Sequence, residues 1–276
     1  MTYIIDKPNN FDIEQIFDCG QCFRFNKHLS KKNTYCGVAF GKYLEITQSE
    51  NKVEFNCNKE TFISLWHSYL DLNNDYSLYI DSFKNDKTLH EASLFSSGIR
   101  ILKQDPWETL CSFIISQNNN IPRIKGIIEN MSRAYGEKIE CSDGEARYTF
   151  PTAKALYDAG TDAIFALKTG FRAKYIYDAA SKVVSGELDL NAIFDMPLDM
   201  AMQALMTIKG VGPKVASCVL LFGFSKFDAF PIDVWVKKIL NNYYSDGMSP
   251  HFTGKHAGIA QQYLFYYERC KNNVYL

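Results

Sequence analysis

The chain has 276 residues, enough for one large or two modest domains with a buried core. Hydrophobic residues make up 46% and charged residues 22%, which excludes a disordered or collagen-like chain. A net charge of −1 does not by itself announce nucleic acid, so a DNA-binding reading has to rest on local geometry.

In chain order, Met1–Asp6 lacks the basic segment and apolar run of a secretory signal. The eight scattered cysteines therefore read as cytosolic thiols and not as a disulfide framework. Gln21–Phe25, Tyr35–Phe40, Tyr43–Thr47 and Val53–Cys57 are short, β-branched and aromatic, and predict two hairpins in an antiparallel sheet. From Glu60 the period changes: Phe62, Leu65, Trp66 and Leu70 form a helical stripe, and helical patterns continue almost to the end. Asp105-Pro106 predicts an N-cap before a first-turn proline, with Trp107, Leu110, Cys111 and Ile114 on the buried face. Ile176, Ala179, Ala180, Val183 and Val184 predict a further helix, stopped at Gly186. Runs such as Val219–Phe224 are far too short to span a membrane. The fold class is α+β: an N-terminal antiparallel sheet with helices over residues 1–100, then a helical domain over 101–276.

The stretch Leu205–Ala216 carries the most chemistry. An amphipathic helix ends, Gly210-Val211-Gly212 turns, and a new helix begins at Pro213. Bare N–H groups and a positive helix end suit a DNA phosphate, although a steric corner between two helices uses glycine in the same way. Lys214 lies in the first turn, where the helix dipole disfavours an ammonium, and is a candidate amine nucleophile. Asp233, in Phe230-Pro231-Ile232-Asp233, is either an N-cap or a second catalytic group. Cys19-Gly20-Gln21-Cys22 has the spacing of a redox pair or half a zinc site. No second such pair and no histidine ligand spacing supports either use.

Gly210-Val211-Gly212-Pro213-Lys214 together with Pro231-Ile232-Asp233 resembles the helix–hairpin–helix, Gly/Pro…Asp superfamily of DNA glycosylases. The lysine marks its bifunctional members. Gly20-Gln21-Cys22-Phe23-Arg24, Gln104-Asp105-Pro106, Ser116–Ile124, Gly170–Tyr175 and Ala257–Gln261 are similar to its 8-oxoguanine branch, and follow in the family's order.

The resemblance implies a twisted antiparallel sheet packed on a two-part helical body. The partner implied is duplex DNA containing 8-oxoguanine, and the activity is base excision with abasic-site lyase cleavage. Lys214 then attacks C1′, and Asp233 stabilises the cationic sugar and moves protons. Gly20, Cys218, Gln261 and Phe265 form the damaged-base pocket, Gly20 accepting from N7–H of the lesion. Read from spacing alone, Cys218 is a buried small hydrophobe, Phe265 is core and Gln261 is surface. By resemblance Asn118, Arg123 and Arg172 hold the orphaned cytosine, and Phe171 stands where the family has a tyrosine wedge. Gly210, Val211, Gly212 and Trp235 face phosphate, Trp235 in place of a histidine. No cofactor or metal is implied, and with only Cys270 near the C-terminus no iron–sulfur cluster is expected. The expected setting is a monomer in a bacterial or archaeal cytoplasm. The rival readings are a same-fold glycosylase for another lesion, a non-catalytic DNA-binding module and a redox protein.

Overall fold

The computed structural model describes residues 1–141 and 144–271. Strands β1 (Tyr3–Asp6), β2 (Phe25–Lys27), β3 (Thr34–Ala39), β4 (Lys42–Gln48) and β5 (Lys52–Phe55) form one sheet in the order β1-β5-β4-β3-β2. Every neighbouring pair is antiparallel. The two expected hairpins are present, with two differences. β1 joins the edge by pairing with β5, a partner some fifty residues away that local pattern does not reveal.

The second difference is that Gln21–Arg24 is not strand, and the ladder begins only at Phe25. The reason is Gln21, whose buried amide is used on distant backbone. Its Nε2 donates to the carbonyls of Ile16 and Arg100 at 2.9 and 2.8 Å, and its Oε1 accepts from Leu102 N at 2.9 Å. A side chain satisfied in that way holds a loop, not a ladder.

The inner face of the sheet buries Leu44, Ile46, Val53 and Phe55 against Phe17, Phe62, Trp66 and Leu70. The predicted Phe62–Leu70 stripe is therefore in the core, carried on a helix that widens to a π turn at Phe62–Trp66.

Helix α1 (Ile13–Asp18) precedes the β2–β5 meander, and α2 (Tyr76–Ser82) and α3 (Lys87–Phe95) follow it. The helical body continues through α4 (Pro106–Ser116), α5 (Ile121–Tyr135), α6 (Ala153–Ile164), α7 (Ala173–Ser185), α8 (Leu198–Met206), α9 (Pro213–Phe224), α10 (Val234–Tyr243) and α11 (Ala257–Lys271). Asp105 caps α4 through Glu108 N at 2.8 Å, as its position before Pro106 predicts. Helices α4 and α9 pack together at the centre and are buried over Thr109–Ile115 and Val215–Phe224. On α7 the stripe Ile176, Ala179 and Ala180 is buried as expected, whereas Val184 is exposed.

Tyr76, Ile80, Leu89 and Ala92 belong to this second core. By packing, we propose that α2 and α3 go with the helical body, although they precede residue 100 in the chain. No helix among the described residues is long and apolar enough to cross a membrane.

Candidate active site

The site is built from the turn between α8 and α9. Gly210 has φ +76, and the Tyr175 ring lies 2.4 Å from where a Cβ would stand, so both backbone and space demand glycine. Asp178 of α7 braces the turn by accepting from Lys209 N at 2.9 Å. Helix α9 then starts at Pro213, and no side chain caps its first N–H groups. The positive end of the helix is left open to an anion, the property a phosphate contact requires. Val211 is buried and packs the turn onto the core.

Half-buried Lys214 projects from the first turn of α9, with Nζ 5.5 Å from the Phe113 ring centroid of α4. One turn further, Cys218 is buried. Burial pushes its thiol pKa up; the Lys214 ammonium draws it down and the Asp233 carboxylate raises it. Lys214, Cys218 and Asp233 thus share one neighbourhood. Asp233 is an N-cap, since Oδ1 accepts from Trp235 N at 3.0 Å and Val236 N at 2.8 Å. Its carboxylate acts electrostatically on both Cys218 and Arg269, raising the pKa of each.

The second wall is α11. Read from spacing alone, Gln261 is surface and Phe265 is core; the structure buries Gln261 and leaves Phe265 only half-buried. Gln261 is 4% exposed and its Oε1 has no hydrogen-bond partner among the described residues, while Phe265 is half-buried. The reason is that α11 is buried on every side from Ala257 to Leu264, so its polar residues are not a solvated face. The adjacent Gln262 donates to the Cys19 carbonyl at 2.8 Å and ties the Gly20 loop to α11. Gly20 has φ +81, and a Cβ there would come within 3.4 Å of Phe265 Cε1 and 3.3 Å of Arg269 Nη1. A cleft of about 370 Å³ lies between the Gly20 loop and the start of α5, lined by Asp18, Gly20, Cys22, Ile121, Pro122 and Lys125.

That loop and the turn before α7 form a third region. Phe171 is 49% exposed and follows Gly170, an arrangement suited to a protruding aromatic plug. Arg172 is 2% exposed and lies against it, with Cζ 4.4 Å from the Phe171 ring centroid. Arg172 donates to the carbonyls of Gln117, Asn118 and Thr169, with four hydrogen bonds in all. It therefore clamps the loop in this state, while Arg123 and Asn118 are exposed. Burial lowers the Arg172 pKa, and the Arg123 cation lowers it further. Trp235 is half-buried beside Asp233, with Lys238 Nζ 5.5 Å from its ring centroid.

Cys19 and Cys22 are free, buried thiols, both with pKa pushed up by burial, which leaves them inert and not poised for redox work. Gln21, Gln262 and Arg269 are the site-forming residues that motif reading missed. Arg269 carried one signal, being a cation four residues after Phe265 on the same helix.

Residues 3–110 match the family model for the N-terminal domain of 8-oxoguanine DNA glycosylase. Residues 111–251 match that of HhH-GPD superfamily base excision DNA repair proteins. The structure of MBOgg1 in complex with a low affinity DNA ligand is similar at a TM-score of 0.92 and 40% identity, covering 98% of this chain and 96% of that one. The Clostridium acetobutylicum 8-oxoguanine glycosylase/lyase, in complex with dsDNA containing cytosine opposite to 8-oxoG, gives a TM-score of 0.89 and 38% identity, with 98% of each chain covered. The N-glycosylase/DNA lyase of Saccharomyces cerevisiae is 40% identical over 164 residues, which are 55% of this chain and 44% of that protein. This chain thus matches less than half the length of the yeast relative. With both halves matched in order and the hairpin, lysine and aspartate gathered at one place, the chain belongs to the 8-oxoguanine DNA glycosylase/lyase family.

Proposed function

We propose that this protein excises 8-oxoguanine from duplex DNA and cleaves the strand at the resulting site. The observation that carries the reading is the buried, partnerless Gln261 Oε1 beside the half-buried Phe265 ring. A buried acceptor without a donor costs free energy unless a ligand completes it. The N1–H and N2–H donors of a guanine-type base, stacked on Phe265, supply what is missing. Gly20 adds the discrimination: its carbonyl accepts from N7–H of 8-oxoguanine, whereas guanine would set a second acceptor against it.

In this reading the nucleotide leaves the stack at a cost of a few kcal/mol, with Phe171 filling the gap. The Lys214 amine bonds to C1′ as the C1′–N9 bond breaks and its electron pair leaves with the base. Asp233 faces the positive charge growing on the sugar and takes up the proton that the attacking amine sheds. Ring opening gives a Schiff base, and loss of a C2′ proton then expels the 3′ phosphate. The match to the Clostridium enzyme over nearly the whole chain supports a bacterial or archaeal cytoplasmic setting.

Borohydride trapping on a duplex with one 8-oxoguanine opposite cytosine tests the proposal. Wild type should form a covalent adduct, and Lys214→Gln should lose the adduct, base release and cleavage while still binding the duplex. No adduct with wild type overturns the reading, and an adduct with Lys214→Gln means another amine is the nucleophile.

A further inference from the structure

Arg269 is a residue of the base-side wall to which the family motifs give no part, and its state is unusual. It is 9% exposed, its Nε is buried with no hydrogen-bond partner, and its guanidinium makes no hydrogen bond or ion pair among the described residues. What it touches is the Phe265 ring, with Cζ 5.1 Å from the centroid, and the position of Gly20, 3.3 Å from Nη1 to a Cβ built there. A ring face accommodates a cation but accepts none of its five N–H donors. The cost of burying an arginine in this way is offset only if something else completes it.

We infer that Arg269 is the donor that recognises O8, the oxygen by which 8-oxoguanine differs from guanine. The inference rests on the reading above, in which Phe265 carries the flipped base. Gln261, Phe265 and Arg269 are spaced i, i+4, i+8 on α11, so Gln261 and Arg269 lie about 6 Å along the axis to either side of Phe265. A purine whose Watson–Crick edge meets Gln261 turns its five-membered ring the other way. That ring bears N7 and O8, and it meets Gly20 and Arg269 together. Gly20 accepts from N7–H while the guanidinium donates to O8. Guanine has C–H at that carbon and leaves the guanidinium, whose Nε is already unpartnered, without an acceptor, a penalty added to the clash at N7. The lesion is then read twice, once at each atom that oxidation changes. Burial lowers the pKa of Arg269 and the Asp233 carboxylate raises it, so the cation is held next to the position it would read.

The test uses the Lys214→Gln background, which binds without turnover. Affinities are compared for duplexes carrying 8-oxoguanine or guanine opposite cytosine, with Arg269, Arg269→Met or Arg269→Lys. A charge-assisted hydrogen bond predicts that Arg269→Met lowers the preference for the lesion by about 10- to 100-fold, with far less change on the guanine duplex. Arg269→Lys keeps the charge without the fork and should fall between; it also settles the matter if the methionine variant does not fold. Full lesion preference in either variant overturns the inference, leaving Arg269 as a packing residue. Equal weakening on both duplexes also overturns it, by showing that Arg269 only shapes the pocket. If wild type forms no adduct with 8-oxoguanine, the broader functional reading has failed instead.

Discussion

Asp233 has two oxygens and two duties. Oδ1 caps α10, and Oδ2 has no hydrogen bond among the described residues. Asparagine preserves the cap, because its amide oxygen accepts in the same geometry, but removes the charge. Asp233→Asn should therefore keep the melting temperature nearly unchanged while lowering single-turnover excision by about 100-fold or more. A folded variant with near-normal rates would leave Asp233 as a cap alone. At this scale the sequence was legible where chemistry sits in a short motif, as for Lys214, Asp233 and the Gly210–Gly212 turn. It was not legible where a side chain's environment is supplied from far away. Gln261 is buried because α11 runs through the core, and Arg269 matters because Gly20 lies against it, 249 positions earlier in the chain. Residue spacing on one helix says which side chains share a face, not what that face meets.

Among the elements, the two loops that the resemblance assigns to the orphaned base divide work that the motifs give them jointly. Arg172 uses its donors on the carbonyls of Gln117, Asn118 and Thr169, whereas the exposed Arg123 keeps its donors available. The orphaned cytosine presents O2 and N3 as acceptors, and adenine mismatches at least one donor at a cost of about 1–3 kcal/mol. Wild type should accordingly excise 8-oxoguanine opposite cytosine faster than opposite adenine by about tenfold. Arg123→Met should bring the two rates towards equality with little loss of stability. Arg172→Met should instead destabilise the fold by about 2–4 kcal/mol, through the stranded carbonyls, and slow both substrates. Thermal melts and single-turnover rates for the two variants check this, and an unchanged preference in Arg123→Met would place opposite-base reading elsewhere. The elements themselves were readable where local periodicity is clean, as in β3, β4, β5 and the Phe62–Leu70 stripe. They were misread where a tertiary contact outweighs local pattern, as at Gln21, or where an edge strand finds its partner fifty residues away, as at β1.

For the molecule as a whole, the junction between the sheet and the helical body holds a titratable pair. Glu108 of α4 sits 3.7 Å from Arg24 of the sheet side. Burial raises its pKa to about 7, the Arg24 cation only partly opposing this. The folded state therefore keeps a proton that the unfolded chain releases near the ordinary glutamate value, so stability is lost as pH rises through the window from about 4.5 to about 7. Glu108→Gln should remove about 3 kcal/mol of the stability change across that window, measured by urea melts against wild type. An identical slope in both proteins would show that the pair is solvated. A further long-range tie is the Gln262–Cys19 hydrogen bond, which joins the last described helix to the Gly20 loop near the start. A ribosome delivers the chain N-terminus first. The hairpin and Lys214 leave it some fifty residues ahead of α11, and until that helix docks no Gln261, Phe265 or Arg269 faces Gly20. On the proposed reading, a nascent chain therefore carries its nucleophile before the residues that choose the base, and selectivity arrives only with the last described helix.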